Sequence, residues 1–121
     1  MIDHVGFEVS DLEQSARFYN AVIYALGARR MFESAHAIAY GTDGPDLWIV
    51  VRGRRPGPGY GHVALHASGK AAVDAAHAAG LAAGGRDGGA PAPRAFGPPN
   101  YYSGYLVDPD GAWLELVSGS H

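Results

Sequence analysis

The stretch His4-Val5-Gly6-Phe7-Glu8-Val9-Ser10 returns in altered form as His62-Val63-Ala64-Leu65-His66-Ala67-Ser68, an offset of 58 residues from His4 to His62. Val5, Phe7 and Val9 alternate with His4, Gly6 and Glu8, the two-residue period of a strand with one greasy face. The second copy gathers His62, Ala64 and His66 on one face in the same way. Both copies end in a serine and pass into an Ala-containing helical pattern. A repeat sets the architecture before any single residue is interpreted. This one also pairs two histidines at matching positions, and matched imidazoles are candidate metal ligands.

A second offset, of 65 residues, sets Tyr40, Asp43 and Trp48 opposite Tyr105, Asp108 and Trp113. The second copy therefore carries about seven extra residues, and the Gly/Pro-rich stretch from Gly84 to Pro99 is the place for them. At this offset Glu115 falls opposite Val50. Of the four matched positions His4, His62, Val50 and Glu115, three can bind a metal.

Each copy reads β-α-β-β-β. In the first, Ser10-Asp11-Leu12-Glu13 has the form of a capping box with Ser10 as N-cap. Leu12, Ala16, Tyr19, Ile23 and Leu26 follow at helical spacing, and Gly27 is a stop. Strands are expected near 29–33, 37–41 and 47–52. In the second, Ser68 caps a helix running to about Ala79, with Gly80 as its stop. A strand near 82–86 precedes a long loop, Gly84 to Pro99, suited to a lid at a pocket mouth. Strands follow at 101–107 and 113–118, joined by the turn Asp108-Pro109-Asp110-Gly111. The expected fold is α+β. One domain over 1–121 holds two βαβββ modules, about 1–53 and 61–119, joined by a linker at 53–60. Helices cover the greasy sheet faces, and the other faces, with the histidines, Glu115 and the tryptophans, line a concave surface.

With 47% hydrophobic and 17% charged residues, the chain reads as soluble and globular. A net charge of −3 points away from nucleic acid and anionic membranes. Arg52, Arg54 and Arg55 are expected to be a solvated linker cluster. There is no cysteine, which excludes disulfides and thiolate chemistry. Neither a signal peptide nor a membrane span is visible, so a cytoplasmic location is the expectation.

The chain resembles the vicinal oxygen chelate superfamily, the group of glyoxalase I, fosfomycin-resistance enzymes, extradiol dioxygenases and bleomycin-resistance proteins. The resemblance rests on Asp3-His4-Val5-Gly6-Phe7, on Ser10-Asp11-Leu12 leading to Phe18-Tyr19, and on Gly61-His62-Val63-Ala64-Leu65. Its most specific part is Asp108-Pro109-Asp110-Gly111-Ala112-Trp113-Leu114-Glu115-Leu116. It implies metal ligands at His4, His62 and Glu115, with Val50 in place of the fourth ligand of glyoxalase I. It also implies a homodimer whose modules form half-open or closed barrels.

Two imidazoles and a carboxylate suit Mn, Fe, Zn, Ni or Co, and three protein ligands leave positions open for two neighbouring oxygens of a small substrate. His66, Tyr105 and Glu8 are the candidate catalytic groups: His66 and Glu8 as bases two residues along from the histidines, Tyr105 as a donor to an oxyanion. Trp48, Val50, Trp113, Tyr101 and Tyr102 are candidate substrate-binding residues. His77 is expected to be solvated, and Arg94 to be a free surface arginine. Two functions remain open at this point. One is a metal-dependent glyoxalase-like lyase, isomerase, thiol transferase or dioxygenase. The other is a metal-free protein that sequesters an aromatic antibiotic or metabolite on its aromatic side chains.

Overall fold

The structure is a computed structural model that describes residues 1–57, 59–95 and 100–119. The elements run β1 (Val5–Val9), α1 (Leu12–Ala25), β2 (Arg29–Glu33), β3 (Ala37–Gly41), β4 (Leu47–Val51), β5 (His62–His66), α2 (Lys70–Ala82), β6 (Arg86–Pro93), β7 (Tyr102–Val107) and β8 (Trp113–Ser118). Two four-stranded sheets result, ordered β1-β4-β3-β2 and β5-β8-β7-β6. In each, the first strand pairs in parallel with the last, and the others pair antiparallel. The fold is the expected α+β arrangement of two βαβββ units.

Alternation along the strands settles what each sheet face carries. On the first sheet Val9, Ile38, Tyr40, Leu47 and Ile49 are buried under the helices. On the second sheet Leu106, Leu114 and Leu116 are buried in the same way. The helices also pack on each other. Their crossing is set by Gly80, where an added Cβ would lie 2.5 Å from Leu106 Cδ1 and 3.0 Å from Val22 Cγ2. Gly80 therefore does not stop α2, which runs on to Ala82. The absence of a side chain serves close approach of α1, not a change of backbone direction.

The polar ends of the two units are tied as well. Tyr19 of α1 donates its hydroxyl to Asp108 Oδ2 at 2.7 Å. Asp108, in the β7–β8 turn, is 1% exposed, and its Oδ1 accepts the amides of Asp110 and Ala112. Ser10 donates both its amide and its hydroxyl to Asp110. This engagement explains a departure from the capping box. Asp11, not Ser10, is the N-cap of α1, accepting from the Gln14 amide at 3.1 Å. The N-cap of α2 is Gly69, without a side-chain bond, so Ser68 does not cap it.

The second unit departs further at β6. Residues 86–93 are not loop but an eight-residue edge strand. Pro91 and Pro93 are tolerated because the strand has only one neighbour, and the register breaks on either side of Gly89. Of the expected loop, residues 96–99 lie outside the described residues.

Replacing Asp108 by Ala leaves two amides and a buried phenol without an acceptor, and should lower stability by about 3 kcal/mol. Tyr19→Phe, which removes one bond, should cost about half as much. Asp43→Ala, in the exposed turn of the first unit, should stay within about 0.5 kcal/mol. Urea denaturation of the three variants checks the order.

Candidate functional site

The open face of the second sheet is built from alternate residues of three strands. The registers Ala64↔Glu115, Tyr105↔Glu115 and His62↔Trp113 bring these side chains to one side. Glu115 is only 3% exposed. His62 Nε2 donates to its Oε1 at 3.1 Å, and the Tyr101 hydroxyl donates to its Oε2 at 2.6 Å. The Tyr105 ring lies 5.7 Å from that of His62 and 6.4 Å from Trp113. His62, Tyr105, Trp113 and the exposed Tyr60 border a cavity of about 300 Å³. Hydrogen bonding to Glu115, then burial, pushes the Tyr101 hydroxyl up to about 12. Burial, with the Glu115 charge beside it, also raises Tyr105, while Arg94 opposes the shift.

The first sheet carries the other sequence candidates. Gly6 pairs with Trp48 and Glu8 with Val50, so these share its open face. His4 leans on Trp48 at 6.1 Å and bonds Asp3 at 2.6 Å. Phe32 packs on Trp48 at 5.3 Å. The two sheets do not pair with one another. Among the described residues no three His, Asp or Glu side chains gather closely enough to hold one ion. A single chain thus joins His62 to Glu115 and keeps His4 with the other sheet.

The register corrects the 65-residue offset. With β1 matched to β5, Gly6 opposes Trp48 where Ala64 opposes Glu115. Trp48, not Val50, therefore holds the place of Glu115. Tyr40 likewise matches Leu106, not Tyr105, because Tyr40 opposes Leu47 as Leu106 opposes Leu114, with one more residue between the pair in the second hairpin. A one-residue slip moves a side chain to the other face: Tyr40 is buried under the helices, and Tyr105 faces the cavity.

Other assignments also change. Tyr102 is on the helix side of β7, where its hydroxyl donates to Asp74 at 2.6 Å and Lys70 sits over its ring, so it is not a pocket residue. Glu8 is gripped by Arg54 at 2.7 and 2.9 Å, with Arg52 at 3.7 Å. Arg54 and Arg52, though solvated, thus pair with the open face, and the Arg54 hydrogen bond holds the Glu8 carboxyl below its ordinary range, which disfavours it as a base. His66, at the end of β5, has no hydrogen-bond partner among the described residues. It borders a separate cavity of about 320 Å³ with Tyr40 and Leu26. His77 is buried, not solvated, and its Nε2 lies 3.1 Å from both the Tyr105 carbonyl and Asp87. Its place among Val73, Ala76 and Gly80 on the buried stripe of α2 was the signal available in the sequence. Arg94 is not free: it donates to Ser103 Oγ at 3.2 Å, to the Ser103 and Ala90 carbonyls at 2.9 Å each, and lies 5.6 Å over the Tyr105 ring.

A family profile, described as the Glyoxalase/Bleomycin resistance protein/Dioxygenase superfamily, matches residues 1–116. The chain belongs to that superfamily. Among solved structures it is similar to a glyoxalase/bleomycin resistance protein from Albidiferax ferrireducens T118, at 29% identity and TM-score 0.86, covering 97% of each chain. It is also similar to a glyoxalase-related enzyme from Fulvimarina pelagi, at 25% identity and TM-score 0.73, covering 97% of this chain and 86% of that one. The fosfomycin resistance protein FosX from Mesorhizobium loti, at 23% identity and TM-score 0.72, shares the fold over 99% of this chain and 92% of its own. No curated protein sequence matches the chain. No helix among the described residues is long and apolar enough to cross a membrane.

Because its folded pKa is lowered, Glu8 contributes stability above its ordinary value, and that contribution is lost as pH falls through the folded value. Arg54→Ala should move the Glu8 carboxyl midpoint back up, as read by NMR titration. The stability gap between parent and variant should close on acidification. An unchanged midpoint would contradict the Arg54 fork.

Proposed function

We propose that the protein is a divalent-metal-dependent enzyme of the glyoxalase-like kind, acting on a small substrate with neighbouring oxygens. On this reading its site is completed between two copies of the chain. His62 and Glu115 of one copy and His4 of the second would hold the ion. The observation that carries the reading is the buried Glu115 carboxylate with an imidazole nitrogen 3.1 Å from it on an open sheet face. A carboxylate and imidazoles form a donor set suited to borderline divalent ions, and the residues present fit such an ion. When bound, it would stabilise negative charge developing on a substrate oxygen.

The protein's own groups supply the rest. Tyr101 orients the Glu115 carboxylate through its hydroxyl. Tyr105 offers a hydroxyl beside His62 that stays protonated at neutral pH. Trp113, with Trp48 and Phe32 of the facing copy, would wall the cavity and limit water. The sheet edges support a second copy. β6 is blunted by Pro91 and Pro93 and by register breaks, and β2 has a break of its own. The β1 and β5 edges are regular, with neither proline nor bulge. Regular open edges invite strand pairing, and pairing β1 of one copy with β5 of another would face His4 toward Glu115. A sequestering protein is the second reading, favoured by the Phe32–Trp48 contact on the open face.

Elemental analysis of protein purified without chelator separates the two, since a stoichiometric transition metal is expected only for the enzyme. Glu115→Gln should abolish retention, while Glu8→Gln should leave it nearly intact. His4→Ala and Glu115→Gln should each lose metal alone, yet their co-expressed mixed dimer should regain one ion. A mixed dimer that stays empty would count against a site shared between copies.

A further inference from the structure

Arg94 stands out in the open face for what it lacks. Nε and Nη2 donate to the Ser103 hydroxyl and to the Ser103 and Ala90 carbonyls, all neutral acceptors. Nη1 has no partner among the described residues, and no carboxylate among them lies within ion-pair distance of the guanidinium. The neighbouring acids are engaged elsewhere. Glu115 accepts from His62 and Tyr101. Glu8, on the other open face, is matched by Arg54 and Arg52. Asp87 pairs with Leu106, a helix-side position, and accepts from His77 and Gly89. A half-buried, fully charged group fixed by three neutral acceptors keeps its charge available to a ligand.

We infer that Arg94 is a specificity-determining residue that binds an oxyanion of the substrate, a carboxylate or phosphonate group. The inference rests on the small-molecule site proposed at His62 and Glu115 and narrows what it takes. The Tyr105 ring meets the His62 ring at 5.7 Å and the Arg94 guanidinium at 5.6 Å. The anionic group and the oxygens bound at the His62–Glu115 end therefore sit around one shared aromatic ring. Nη1 supplies two N–H donors to it, and Trp113 and Tyr105 flank the body of the molecule. A compact anionic substrate satisfies this arrangement, whereas a neutral one leaves a desolvated guanidinium without a counter-charge.

The test uses benzoate and phenylphosphonate against neutral benzamide as probes, titrated into the full-length protein and followed by NMR of the Arg94 Nε–H and the tryptophan indoles. The parent should bind the two anions about tenfold more tightly than the amide. Arg94→Gln should erase that preference without weakening benzamide, and Arg94→Lys, which keeps charge but not the planar fork, should retain part of it. Equal binding of anions and amide by the parent, a preference that survives in Arg94→Gln, or no saturable binding of either anion at millimolar concentration would overturn the inference. Metal retention with no oxyanion preference would sink this inference alone. Oxyanion preference in a protein that retains no metal would support it and sink the metal reading instead.

Discussion

The buried bond between Tyr19 and Asp108 is the constraint on which the arrangement of the two units depends. A carboxylate 1% exposed is costly unless its oxygens are satisfied. Here one oxygen takes a phenol from α1 and the other takes two amides of its own turn. The two amides shape the turn itself, and the phenol ties that turn to α1. With Ser10 bound to Asp110 beside it and Gly80 seating the helix crossing, the second unit is locked helix-to-helix against the first. The two sheets do not pair with each other, and their histidine-bearing faces are left open.

That lock divides the candidate site. Within one chain the repeated geometry of a strand pair gives His62 its carboxylate partner and gives His4 an indole instead. The difference comes from the residue that stands at one rung rather than from the fold or the strand pairing. Both parallel pairs are regular, and Trp48 occupies the rung that Glu115 holds in the other sheet. The indole is additionally fixed by its Nε1–H to the Pro45 carbonyl at 2.9 Å, so it is a wall and not a mobile plug.

The repeat made the two βαβββ units readable, because strand and helix periods in both copies are clean and the Asp-Pro-Asp-Gly turn is strongly marked. The helix-side core followed from the same alternation. What escaped the sequence depends on contacts distant along the chain. Asp110 draws Ser10 away from its capping role, and α1 crosses at Gly80, which looks like a stop when α2 is read alone. A hairpin longer by one residue put Tyr40 and Tyr105 on different faces although their letters aligned. Two prolines and paired glycines hid β6, since propensity argues against a strand that only edge position permits. His62 and Glu115 were legible from the motif. Arg94 was not, because its three acceptors lie on backbone carbonyls and a serine that carry no sequence signature.

The charges of the open faces then divide into two kinds. Arg54 and Arg52 meet Glu8, so the first sheet presents a carboxylate shared by two arginines beside an aromatic wall. The second sheet presents a buried carboxylate and, against the Tyr105 ring, an arginine with no carboxylate partner among the described residues. Such separation is costly in a half-buried face unless a ligand compensates it. The Glu115 end suits a cation or a proton donor, and the Arg94 end suits an anion. A ligand that satisfies both must itself be polar in the same sense, with electron-rich oxygens at one end able to share a cation and a full negative charge at the other. The Tyr105 ring borders both ends, so such a ligand would lie along an aromatic surface.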